Sequence, residues 1–199
     1  MSVAAASSKP QDYRTPMLII GLLFFIFGFV TWMNGPLIQF VELAFELNTV
    51  NAFLVLTVFY LSYVFFALPA SSILRRTGMK KGMALGLLTM AAGAAIFGEF
   101  ALHRWYPGAL SGLFVIGAGL ALLQTAANPY MSIIGPIDSA AQRIAFMGIC
   151  NKVAGVLAQW LIGAVVMHGV GDLTAEVRAA DPSTKAILLD AFAARVHLP

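Results

Sequence analysis

Hydrophobic residues along this chain come in long blocks separated by short polar punctuation. Five blocks approach or exceed the roughly 20 residues a helix needs to cross a bilayer, near 17–40, 52–74, 82–102, 109–134 and 144–169. Gly78 with Lys80 and Lys81 marks a tight turn after the second block, Pro107–Gly108 breaks the chain after the third, and Gly135–Pro136 after the fourth. Residues 1–16 are small and polar and read as a mobile cytoplasmic segment. Residues 170–199 are charged and only moderately amphipathic. Leu188, Leu189, Phe192 and Val196 recur there at helical spacing, which predicts a short helix after Pro182. The expected class is an all-α membrane protein: five transmembrane helices in one bundle (17–169), then an extracytoplasmic tail (170–199).

Composition agrees with lipid as solvent. Hydrophobic residues make up 60% of the chain and charged residues 11%, against about 25% charged in soluble domains. The net charge of +3 is a topology signal and not a nucleic-acid footprint, because the basic residues sit in loops beside apolar runs. Lys9, Arg14, Arg75, Arg76, Lys80, Lys81 and Arg143 fall on one side and only Arg104 on the other before the tail. That count predicts a cytoplasmic N-terminus in a bacterial inner membrane. The single cysteine, Cys150, excludes an internal disulfide and multi-cysteine metal sites, and His103, His168 and His197 are scattered. No catalytic or cofactor pattern is present, so the chain reads as a non-enzyme.

Polar residues inside the apolar blocks carry the candidate chemistry, because an amide or hydroxyl in hydrocarbon costs several kcal/mol unless partnered. Gln124 and Asn128 are four apart and share a face of the fourth block; Pro129 follows and frees a carbonyl about a turn earlier. Carboxamides both donate and accept, as sugar hydroxyls require. Thr31-Trp32-Met33-Asn34-Gly35-Pro36 predicts a bent or locally broken first span, a recurrent device at transporter midplane sites, with Trp32 offering an apolar face to a sugar ring. Tyr60 and Tyr63 are three apart on the second span; their hydroxyls meet either a solute or a neighbouring helix. Asn151, Gly155 and Gln159 form a four-residue repeat on the fifth. Lys152 lies nine residues beyond Arg143, about 13 Å deeper along a helix, where it either acts on the solute or snorkels toward the cytoplasm. The competing reading for Gln124 and Asn128 is glue between helices, with Pro129 as a kink, and for Trp32 a place in the aromatic belt at the membrane interface. None of the nine acids lies near the middle of a span, so a carboxylate proton relay is missing.

The strings LFFIFGFVTWMNGPLIQF, FYLSYVFFALPASSILRRTGMKKG, GLALLQTAANPYMSIIGP and QRIAFMGICNKVAG resemble, in order, the fucose/galactose/glucose permease family of the major facilitator superfamily. FVTWMNG and MGICNK are closest to the glucose/galactose branch. The resemblance implies two six-helix halves with sugar bound between them. It implies Gln124, Asn128 and Asn151 at cavity positions, and Asn34 and Gly35 at the polar break. Trp32, Tyr60 and Tyr63 join them as substrate-binding candidates, and Gly35, Pro129 and Lys152 as coupling or gating candidates.

Proton-coupled fucose permeases carry carboxylates where this chain has Gly35 and Gln124, which favours sodium, or coupling through a second half. The basic loop RRTGMKKG also lacks the acid usual in the superfamily. The odd span count and the short length predict the N-terminal half of a hexose symporter, inactive without its C-terminal half. A non-transporting membrane scaffold is the alternative.

Overall fold

The computed structural model describes residues 14–166 and 168–194. The described residues are helical and contain no strand, as hydrocarbon demands: a helix satisfies its backbone within one segment. In order these are α1 (Arg14–Trp32), α2 (Asn34–Ala44), α3 (Thr49–Ala52), α4 (Leu54–Thr77), α5 (Met79–Leu102), α6 (Tyr106–Ile133), α7 (Ala140–Leu161), α8 (Val170–Ala179) and α9 (Pro182–Ala193). A short 3-10 turn, Ile137–Ser139, precedes α7, and a π-helical stretch, Ile162–Val166, extends it. Five continuous stretches are long and apolar enough to cross a membrane: Thr15–Ala44, Thr49–Thr77, Met79–Leu102, Tyr106–Ile133 and Ile137–Val165.

Local chemistry sets the ends. Gly78 takes φ +77°, a conformation open to glycine without strain, and its N–H donates to Leu74 O at 2.8 Å, so α4 stops and α5 starts at one residue. Asn48 caps α3 by accepting from the Asn51 N–H at 2.8 Å. Asp181 caps α9, accepting from the N–H groups of Ser183 and Thr184. The hydroxyls of Ser183 and Thr184 also donate to it, and together they hold its carboxyl below the ordinary carboxylate range. The expected helix after Pro182 is therefore present; α8 before it was not foreseen. Residues 14–16 belong to α1 instead of the expected mobile segment, while residues 1–13 lie outside the described residues, as does Val196.

α6 is the hub, with far more of its length buried than any other span. It lies against α5 along a seam of small residues. A Cβ on Gly93 would sit 2.7 Å from Ile116 N, one on Gly112 2.5 Å from Phe97 N, and one on Gly119 2.7 Å from Gly86 O. Close backbone approach of this kind supplies the packing that lipid cannot drive hydrophobically. On its other flank α6 meets α4, where a Cβ on Gly117 would be 2.5 Å from Phe59 O and the buried Ser62 hydroxyl donates to Phe114 O. α1 and α7 form the second tight pair, joined at Gly28 with Asn151 and at Gly155 with Trp32.

The tail helices fold onto the end of the bundle away from the basic loops. Phe192 stacks near Phe40 of α2 at 5.1 Å, and Leu189 and Ala193 are buried. Arg104 reaches Ala44 O at 2.8 Å, Glu46 at 3.0 Å and Asp190 at 3.6 Å, and Lys185 also pairs with Glu46.

Two tests follow from this packing. Gly112→Leu or Gly93→Leu drives a side chain into backbone and should destabilise the bundle by about 3 kcal/mol or more, whereas Gly148→Ala meets open space; thermal unfolding in detergent reads the contrast, and equal melting points would contradict the seam. The Lys185 hydrogen bond, then Arg104, holds the Glu46 carboxyl below its ordinary 4.5. A depressed folded value contributes stability above about pH 4.5 that is lost as pH falls through the lowered folded value. Amide exchange in α9 should therefore quicken below pH 4.5, modestly because the pair is solvated, and Glu46→Gln should remove that pH dependence.

Candidate solute site

The polar candidates divide between the α4–α6 and α1–α7 helix pairs. On the α4–α6 side, Tyr63 Oη donates to Gln124 Oε1 at 3.0 Å, both half-buried. Tyr60 does not join them: it is 46% exposed and packs edge-on against Phe59, so the two tyrosines part company despite their spacing. One turn beyond Gln124, Asn128 is exposed and makes no hydrogen bond among the described residues, and Pro129 beside it is exposed too. Pro129 does not end α6, which runs on to Ile133. A turn earlier, Thr125 donates to Ala121 O at 2.6 Å, satisfying its hydroxyl within the helix.

On the α1–α7 side the expected break in the first span falls at Met33, between α1 and α2. Pro36 has no N–H to give to Trp32 O. Asn34, only 4% exposed, turns its amide back to Thr31 O at 3.1 Å, which ties the start of α2 to the end of α1 across the break. Gly35 is exposed, and a Cβ there would sit 3.5 Å from Gln159 Nε2. Asn151 packs into the seam at Gly28 and donates to Phe24 O at 3.4 Å. Its carboxamide joins α1 to α7, which is the glue reading that competed with a cavity position.

Lys152 behaves differently. Its side chain is exposed, and Nζ lies 4.5 Å from the centroid of the Trp32 ring. Trp32 is itself 41% exposed and rests on Gly155, where a Cβ would be 2.7 Å from Cγ. The ammonium thus stays at depth against an aromatic face, an attraction of about 0.5–2 kcal/mol, and does not snorkel to the basic end. No salt bridge reaches it from the described residues. A second unit cation about 5 Å away would be repelled by about 3 kcal/mol at an effective dielectric of about 20.

Arg143, taken from the sequence only as a topology marker, is a structural cap. Its buried guanidinium donates to Pro136 O at 2.8 Å, Ser139 Oγ at 2.6 Å, and Met131 O and Ser132 O at 3.3 Å. It satisfies carbonyls left over at the C-terminus of α6. The signal in the sequence was a lone arginine seven residues after the Gly135–Pro136 stop, which looks identical to a loop charge.

The sequence pattern of the Major Facilitator Superfamily matches residues 20–177. The chain belongs to that superfamily. It is 32% identical over 173 residues to a glucose/galactose transporter of Brucella abortus biovar 1 (strain 9-941), covering 87% of this chain and 42% of that protein. It is also 32% identical over 171 residues to the L-fucose-proton symporter of Escherichia coli (strain K12), covering 84% and 39%. A crystal structure of FucP, a superfamily transporter in the outward conformation, aligns at TM-score 0.76 and 29% identity over 92% of this chain and 45% of that one. A second, of the E. coli fucose:proton symporter, aligns at 0.78 and 28% over 95% and 45%. The chain therefore spans less than half the length of the relatives it matches, and its fold is that of their N-terminal region. Those relatives are transporters, not enzymes.

If the Tyr63–Gln124 bond fastens α4 to α6, Tyr63→Phe should cost about 1 kcal/mol and leave the helix content unchanged. A double-mutant cycle with Gln124→Leu measures the coupling; a coupling of zero would mean the bond contributes nothing across that seam.

Proposed function

We propose that this chain is the N-terminal half-site of a secondary-active hexose transporter in a bacterial inner membrane, with its N-terminus cytoplasmic and a second helical bundle facing it. The observation that carries the reading is the uncovered polar and aromatic set at membrane depth: Trp32, Asn128, Lys152 and Gln159 are exposed, and Asn128 and Gln159 make no hydrogen bond to the described residues. Lipid cannot satisfy such groups; a hydroxylated solute in a wet cavity satisfies them. The glucose/galactose and fucose transporters among the relatives support a sugar as that solute. Trp32 would cover the apolar face of a pyranose, and Asn128 and the free amide end of Gln124 would exchange hydrogen bonds with hydroxyls. Rocking of two bundles around the site would give alternating access, so the chain alone carries no sugar across.

A second reading has its own support. Tyr63–Gln124, Asn151–Phe24 and Asn34–Thr31 are bonds between or within helices, as in a membrane scaffold whose polar residues only hold spans together.

Calorimetric titration of the chain in nanodiscs with glucose, galactose and fucose separates the two. Asn128→Ala should weaken hexose binding by about tenfold, worth about 1.4 kcal/mol, with the melting temperature unchanged. An unaltered affinity with a lowered melting temperature supports the scaffold. Hexose uptake into vesicles holding only this chain would contradict the half-site reading.

A further inference from the structure

Resting on the sugar-carrier reading, we infer that Lys152 is a built-in cation of the solute site. Its ammonium supplies the positive charge that a co-transported sodium ion or proton would otherwise bring to this half, and it donates directly to solute hydroxyls.

The first support is isolation. Apart from Arg143, which is fully engaged in capping α6, Lys152 is the only charged side chain more than four residues inside any of the five spanning stretches. Among the described residues, no element packed on α7 places an acid in the middle of the span: α2, whose Gly35 neighbours Gln159, holds only Glu42, eight residues past Asn34 and bonded to Thr49. α1 holds only Arg14, at its first residue; α6 holds no acid or base, only the phenols of Tyr106 and Tyr130; the 162–166 stretch holds neither; and Asp138 lies at the far end beside the start of α7. On α7 itself there are Arg143 and the Cys150 thiol. Among the described residues, a carboxylate that could take up a proton, or hold sodium, is therefore missing from the neighbourhood.

The second support is unused capacity. An ammonium has three donors and no acceptor, and the indole face that holds it offers no lone pair. Lys152 is consequently fastened in place by Trp32 while its N–H groups are available to an oxygen-rich guest lying on the same ring. Sodium would have to bind among amide oxygens next to this fixed charge, and Gln124 Oε1 already accepts from Tyr63. Gly155 and Gly35 keep the surroundings open: side chains there would collide with Trp32 or press on Gln159. The sequence-based expectation that sodium suits this half is therefore replaced by one in which no cation binds here.

Trp32 reports on its own site. In the Trp105→Phe, Trp160→Phe double variant it is the sole tryptophan, since the chain has three. Its emission is titrated with glucose, galactose and fucose in nanodiscs, in sodium or choline chloride and at about pH 6 and pH 8. The dissociation constant is expected to agree within about twofold across all four conditions. Lys152→Met should weaken sugar binding about tenfold or more, and Lys152→Arg should keep most of it. Removing a membrane-embedded charge should not impair folding, which circular dichroism checks. Binding that sodium tightens tenfold, or that Lys152→Met leaves unchanged, overturns the inference while the sugar site stands. No response of Trp32 to any hexose removes the sugar-carrier reading and this inference with it.

Discussion

Hydrocarbon offers no hydrogen bonds, and that one constraint arranges the polar residues of this chain. Each amide, hydroxyl or charge placed within a span must find a protein partner, reach water, or receive a solute. Ser62 and Tyr63 find partners on α6; Asn34 turns back across the break to α1, Thr125 to its own helix, and Asn151 crosses to α1. Lys152 finds only an aromatic face. Asn128 and Gln159 find nothing among the described residues. What remains after this sorting is a small set of exposed groups on α1, α6 and α7, and the proposed solute site is built from that remainder.

The framework holding the set in place is steric. Glycine seams on both sides of α6 and between α1 and α7 bring the helices so close that a single added carbon would meet a neighbouring helix's atoms. Polar bonds then register the pairs, Tyr63 with Gln124 on one side and Asn151 with Phe24 on the other. Helix pairs locked in this way move as units, which suits a carrier whose halves rock as bodies around a fixed site. The tail closes one end through Phe192, Lys185 and Asp190, so α2 and the loops at that end are bound into the same unit.

Much of this was legible in the sequence because the governing rule is coarse. A helix must be about 20 apolar residues long to span, and Pro36 must disturb the helix before it; the five spans and the break at Met33 follow. The finer sorting was not legible. Tyr60 and Tyr63 differ by about 60° around α4, less than the width of a helix face, so only the position of α6 decides which one meets Gln124. Asn151 and Lys152 are adjacent, yet one enters a seam and the other leaves it, according to where Gly28 allows α1 to approach. Arg143 as a cap depends on the fold of residues 131–139, and α8 carries too weak an apolar pattern to be read in advance.

The central claim, proposed above, is that Asn128, Trp32 and Lys152 line a wet site that receives a sugar. Labelling of Asn128→Cys, in a Cys150→Ser background, by a water-soluble maleimide tests it most directly when run with and without hexose. Rapid labelling that hexose slows is the expected result. A cysteine that stays unlabelled in the folded protein, or one labelled equally with and without sugar, would contradict it.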